Sequence, residues 1–120
     1  MLYTEILNDN KIFLALYKKG KFTASKYTVI YVKPNGRPYN RFGITAGKKI
    51  GNAVCRNRAK RLIRQAYRDF EIRIPVGLDI VIVARAPICD IKYGQLYEYM
   101  DKYGAEAICR MAEKSADKRK

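Results

Sequence analysis

Residues Leu78–Arg85, LDIVIVAR, make a nearly continuous apolar run. Pro75-Val76-Gly77 punctuates the chain just before it and Pro87 just after. A run of this length and composition is expected for a strand buried on both faces. Such a strand needs cover above and below, and that demand constrains the fold more than any other feature of the chain.

Helices are available to provide the cover. Residues 8–19, NDNKIFLALYKK, predict a short helix opened by Asn8 or Asp9 and stopped by Gly20. KFTASKYTVIYVK is β-rich, with a break near Ser25 and a strand from about Tyr27 to Lys33. PNGRPYN is a turn, and RFGITAG predicts the return strand. A helix follows from about Ala53 to Phe70 with Asn52 as its cap. A last amphipathic helix runs from about Tyr93 to Glu113, and residues 114–120 are expected to fray. The order αβββαβα predicts an α+β fold, a two-layer sandwich of a small sheet with helices on it. At 120 residues the chain is one domain, residues 1–120, and its 48% hydrophobic content favours folding over disorder.

Charge points to a partner. From Asn10 to Arg68 there are sixteen Lys and Arg and no Asp or Glu. Two acids precede that segment, and nine acids and nine bases follow it, so the net charge of +14 belongs to one half of the chain. Such polarity costs self-repulsion unless a polyanion absorbs it. Nucleic acid is the leading partner, ahead of an acidic membrane surface, because no amphipathic Lys/Trp-rich helix is evident. No apolar run approaches the roughly 18–20 residues of a membrane span, and MLYTEILNDN lacks the features of a secretory signal, which predicts a cytosolic protein.

The charge is densest at Arg56–Arg64, RNRAKRLIR, with five positive residues in nine. At 100° per residue, Cys55, Ala59, Leu62, Ile63, Ala66, Tyr67 and Phe70 share an arc of about 140° that can dock on a sheet. Lys60, Arg61, Arg64 and Arg68 share a neighbouring arc of about 100°, with Asn57 among them. Positions 60, 64 and 68 repel at i,i+4 spacing by a few tenths of a kcal/mol per pair, roughly. Solvated helix faces usually alternate sign, and this one does not. Guanidinium groups fit phosphates bidentately, and Asn57 can hydrogen-bond a base edge or sugar. Lys48 and Lys49 in GKKIGNAV stand at the helix N-terminus, where free N–H groups suit a phosphate.

A second surface comes from alternation. In the strand, Tyr27, Val29, Tyr31 and Lys33 point one way and Thr28, Ile30 and Val32 the other. In the first helix Ile12 and Leu16 form one stripe, with Phe13 and Tyr17 beside it. Phe13, Tyr17, Tyr27 and Tyr31, close to Lys18, Lys19 and Lys26, suggest a groove where unpaired bases stack, worth roughly 1–3 kcal/mol per base. Plain core packing is the equal alternative for each ring.

Catalytic groups are scarce. There is no histidine, so the usual neutral-pH general base is missing, and the basic segment has no carboxylate to hold metals. No catalytic residue and no metal ligand is assigned to this chain. Cys55, Cys89 and Cys109 form no CxxC pattern and are expected to be reduced, partly buried thiols. Arginines near Cys55 could lower its pKa, which alone gives it no function.

Lys48–Arg68, KKIGNAVCRNRAKRLIRQAYR, closely resembles the RNR signature of the bacterial ribonuclease P protein family. Weaker similarity covers Asn10–Gly20, Ser25–Val32, Arg41–Lys49 and Asp79–Pro87. The resemblance implies a mixed sheet with a left-handed βαβ crossover through the basic helix, against the usual hand. It implies a protein subunit that joins a catalytic RNA, the complex removing the 5′ leader of precursor tRNA with Mg²⁺ bound mostly by RNA. Arg56, Asn57, Arg58, Lys60, Arg61 and Arg64 would then face the catalytic RNA, and Arg68 extends that face. The leader cleft would be lined by Phe13, Tyr17 and Tyr31, with Lys48 and Lys49 near its edge. Two departures stand out: MLYTEILND carries no Lys/Arg-rich arm, and Gly47 sits where the family often has a small hydroxyl residue.

The chain is therefore expected to be the subunit of an endoribonuclease whose chemistry the RNA carries, with no further protein partner required. The main rival is a structural, ribosomal-protein-like RNA binder with no role in cleavage. A DNA-binding regulator would need a dimerising zipper, and no heptads follow Arg68. A self-sufficient ribonuclease is disfavoured by the missing histidine and the acid-free basic surface.

Overall fold

A computed structural model describes residues 4–7 and 9–117, the side chains of 101 and 114–117 excepted. In chain order the elements are β1 (Thr4–Ile6), α1 (Asn10–Lys19), β2 (Lys21–Ala24), β3 (Thr28–Pro34), β4 (Asn40–Thr45), α2 (Ala53–Phe70), β5 (Leu78–Ala84), α3 (Tyr93–Tyr99) and α4 (Ala105–Asp117). Single 3₁₀ turns lie at Lys48–Ile50, Glu71–Arg73 and Ala86–Asp90.

Local chemistry sets the helix ends. The Asp9 side chain accepts from the Lys11 N–H and caps α1; Asn8, the other candidate, lies outside the described residues. Gly20 stops α1 by close approach: its N–H donates to the Leu16 carbonyl at 2.8 Å, and a Cβ there would sit 2.6 Å from that oxygen. Asn52 caps α2, its Oδ1 accepting from the Cys55 N–H at 2.9 Å. The helix spans the expected eighteen residues to Phe70.

The five strands form one sheet in the order β1-β4-β5-β3-β2. β5 is parallel to β4 and antiparallel to β3, so its Ile80 faces Phe42 on one side and Val32 on the other. This corrects one expectation. The strand Asn40–Thr45 does not return beside β3, because β5 is inserted between them and α2 becomes the parallel crossover from β4 to β5. The most apolar strand takes the centre of the sheet, as burial on both faces requires. The order also gains β1, which pairs in parallel with the outer side of β4.

Ile30, Val32, Phe42, Ile80 and Ile82 belong to the main core with Ala59, Ile63, Phe70, Leu96 and Ile108 of the helices. Residues of the intervening register, Tyr31, Val81 and Val83, pack instead with Leu7, Ile12, Phe13 and Leu16. The sandwich is thus the sheet with α2, α3 and α4 on one face, and α1 laid across the other. Tyr27 departs from expectation. It precedes β3 and turns to the main core, edge-on to Tyr99 at 5.6 Å, instead of sharing a face with Tyr31. The last helix also differs: a π-helical turn at Met100–Gly104 interrupts it, and α4 continues to Asp117. Gly104 sits in that turn, where a Cβ would lie 3.3 Å from the Met100 side chain. Residues 118–120 of the tail lie outside the described residues. No helix among the described residues is long and apolar enough to cross a membrane.

Candidate nucleic-acid interface

α2 is held as a rigid rod by its core face. Ala59, Ile63, Ala66, Tyr67 and Phe70 are fully buried, and burying a side chain the size of Ile63 or Phe70 stabilises by about 1.5–3 kcal/mol. The Tyr67 ring lies flat on Phe42 at 4.0 Å, with its hydroxyl 2.7 Å from Thr4 Oγ1. Burial pushes the Tyr67 phenol up to about 12, because the phenolate has lost its water. Cys55 and Leu62 are half-buried at the margin of this face.

The other arc is different. Asn57, Arg61 and Arg68 are exposed, and Lys60 and Arg64 half-exposed, in one contiguous array. Among the described residues no ion pair involves Lys60, Arg61, Arg64 or Arg68. Arg41 shows what a structural cation in the same acid-free segment looks like. Its guanidinium makes a fork onto Asp79 at 2.7 and 2.8 Å, and that hydrogen bond raises the already high Arg41 pKa.

Two residues expected in the array are turned away from it. Arg58 donates to the carbonyls of Cys89 at 2.8 Å and Ile91 at 2.7 Å, tying α2 to the segment that leads into α3. Arg56 lies toward the core side of the helix, and its Nε is buried without a hydrogen-bond partner. Helical spacing puts Arg56 between Ile63 and Tyr67 on the apolar arc, but it does not reveal the acceptors that hold Arg58, which are main-chain oxygens more than thirty residues away.

On the opposite face of the sheet an aromatic cluster lies beside α1. Tyr17 meets Tyr31 edge-on at 4.9 Å, and its hydroxyl lies 3.3 Å from Thr45 Oγ1. Phe22 extends the aromatic floor, 5.7 Å from Tyr31 and 63% exposed. Sequence reasoning misses Phe22, although it stands opposite Tyr31 across the β2–β3 hairpin. Phe13 presses on β4 where only glycine fits: a Cβ on Gly43 would be 2.5 Å from the ring. Lys48 and Lys49 are exposed on the 3₁₀ turn just past the Thr45 end of β4. The expected cleft residues therefore do gather, with Tyr27 removed and Phe22 added.

The two surfaces meet. A cavity of about 220 Å³ is lined by Phe13 and Gly43 from the cleft side and by Lys60 and Arg64 from α2. The thiols play no visible part: Cys55, Cys89 and Cys109 are free and half-buried, and burial pushes Cys89 up to about 11.

Comparison with known proteins matches this arrangement. The Ribonuclease P family model matches residues 1–107. The ribonuclease P protein component of Brevibacillus brevis is 51% identical over 80 residues, covering 66% of this chain and 64% of that relative, just under two thirds of its length. That of Clostridioides difficile is 43% identical over 91 residues, covering 75% of this chain and 80% of the relative. Among solved structures, the Staphylococcus aureus RNase P protein superposes with a TM-score of 0.74 at 32% identity, over 89% of this chain and 94% of that one.

Proposed function

Since the chain belongs to the ribonuclease P family, we propose that it is the protein subunit of that ribonucleoprotein, binding the catalytic RNA through α2 and the 5′ leader of precursor tRNA in the α1 cleft. The observation that carries this is the array of Lys60, Arg61, Arg64 and Arg68, held on a buried helix with no ion pair among the described residues. A surface of that kind gains its counter-charge from phosphates. The aromatic floor of Tyr17, Tyr31 and Phe22 suits unpaired bases, and single-stranded leader is the part of the substrate that mature tRNA lacks.

Chemistry is assigned to the RNA. Among the described residues no group of three or more His, Cys, Asp or Glu side chains could hold a metal ion. We place Mg²⁺ with the RNA. The protein positions and neutralises, and needs no protein partner to do so; the cytoplasm is the compartment consistent with such work.

Filter binding to a bacterial ribonuclease P RNA across a salt series tests the reading. With about five phosphates neutralised, log affinity falls against log salt with a slope of around −4. Affinity independent of salt would contradict it.

A further inference from the structure

On the flank of α2 that adjoins the Arg61 edge of the cationic array, positions Val54, Arg58, Arg61 and Gln65 follow one another at three- and four-residue spacing. With Leu62 and Tyr93 they line an open slot of about 420 Å³, within the roughly 300–1,000 Å³ of small-ligand sites. Its walls are preset. Arg58 is fixed by the Cys89 and Ile91 carbonyls, so its aliphatic stem lies along the slot. The Tyr93 hydroxyl donates to Asp69, and its ring lies 6.0 Å from Tyr97 at 28°. Val54, 75% exposed on the first turn of α2, forms an apolar lip beside the exposed Arg61.

An aromatic wall, an apolar lip and a cation at the rim are the elements that take a nucleobase together with its phosphate. The nearby Asp69 carboxylate accepts from Tyr93 and Gln65 and keeps its charge, which leaves the Arg61 side of the slot as the place for the phosphate. The slot continues the surface of the helix that carries Lys60 and Arg64. We propose that it receives one unstacked base of the catalytic RNA, with that nucleotide's phosphate at Arg61; the proposal rests on the RNA-binding reading above. The phosphate array then supplies affinity without sequence information, and the slot supplies a contact to a base.

Salt dependence separates the two kinds of contact. Val54→Ser removes apolar surface and no charge, so Kd for ribonuclease P RNA should rise about fivefold with the salt slope unchanged. Arg61→Ala should instead flatten the slope by about one. The chain has no tryptophan, so Tyr93→Trp provides a single reporter whose emission is quenched when a base stacks on it. An unchanged Kd for Val54→Ser, or an indole emission from the Tyr93→Trp variant indifferent to saturating RNA, overturns the slot while leaving the RNA-binding reading intact. If the unaltered protein shows no salt-dependent binding, that reading falls and the slot falls with it.

Discussion

α2 and the α3–α4 segment are both amphipathic and both dock on the same face of the sheet, yet they treat charge in opposite ways. On α3–α4 the signs are mixed, and Glu98 pairs with Lys102 across one turn at 3.7 Å, both well exposed. On α2 the exposed cations stand together without such pairs among the described residues. Packing therefore explains why each helix is where it is, but only α2 carries a cost that packing does not repay. That difference separates a structural helix from a binding one: both bury a core face, and one keeps its charge for a partner.

The comparison breaks most sharply by charge reversal. Lys60→Glu with Arg64→Glu should weaken catalytic-RNA binding by about 100-fold or more at moderate salt. It should leave Tm unchanged or slightly raised, since positions 60 and 64 still carry like charge while the pair 64/68 turns from repulsive to attractive, worth a few tenths of a kcal/mol, roughly. Glu98→Lys on α3 should change RNA affinity by less than about twofold, because an exposed pair contributes little. Equal losses in the two helices, read by filter binding, would erase the distinction.

The cleft comes next. Phe13→Ala or Tyr31→Ala should weaken precursor tRNA binding to the holoenzyme about 5- to 100-fold, with mature tRNA binding nearly unchanged. Equal losses for both RNAs would count against a leader cleft. Within α2 itself, Arg58→Ala should act unlike Arg61→Ala. Loss of its two carbonyl contacts should cost about 1.5–3 kcal/mol of stability in urea unfolding, with the salt slope of RNA binding unchanged. A flattened slope would return Arg58 to the phosphate-binding set.

The smallest effect concerns pH. The Tyr67 phenol ionises near 10 when unfolded and is raised to about 12 in the fold. A raised folded pKa means its contribution is complete below pH 10 and is lost as pH climbs from 10 to 12, up to about 2–3 kcal/mol. Tyr67→Phe should flatten that part of a Tm–pH profile; an unchanged profile would show that Tyr67 is not the group responsible.

Much of this is legible in the sequence wherever the determinant is local. The Asn52 cap and the apolar arc ending at Phe70 set α2 to the residue, because both act within a few turns. The run from Leu78 declares a strand with two buried faces, though not its neighbours: insertion of β5 between β3 and β4 is decided by contacts far apart in the chain. β1 escapes notice for the same reason, as three residues whose only strand partner among the described residues is Asn40–Phe42. In the cleft, Phe13, Tyr17 and Tyr31 follow from helical and strand periods. Tyr27 is misplaced by that reasoning because the bend at Lys26–Tyr27 ends the alternation before β3 begins. Arg58 looks like its neighbours because a one-dimensional pattern of charge does not reveal a carbonyl acceptor supplied from Cys89 or Ile91.

On the proposed reading this chain assists an RNA catalyst instead of cutting RNA itself. Single-turnover cleavage of a precursor tRNA by a bacterial ribonuclease P RNA at low Mg²⁺, with and without the protein and with the protein alone, decides the matter. The expected result is marked stimulation of the RNA and no cleavage by the protein alone. Binding of the RNA with no change in cleavage rate would contradict it and leave a structural RNA-binding protein in its place.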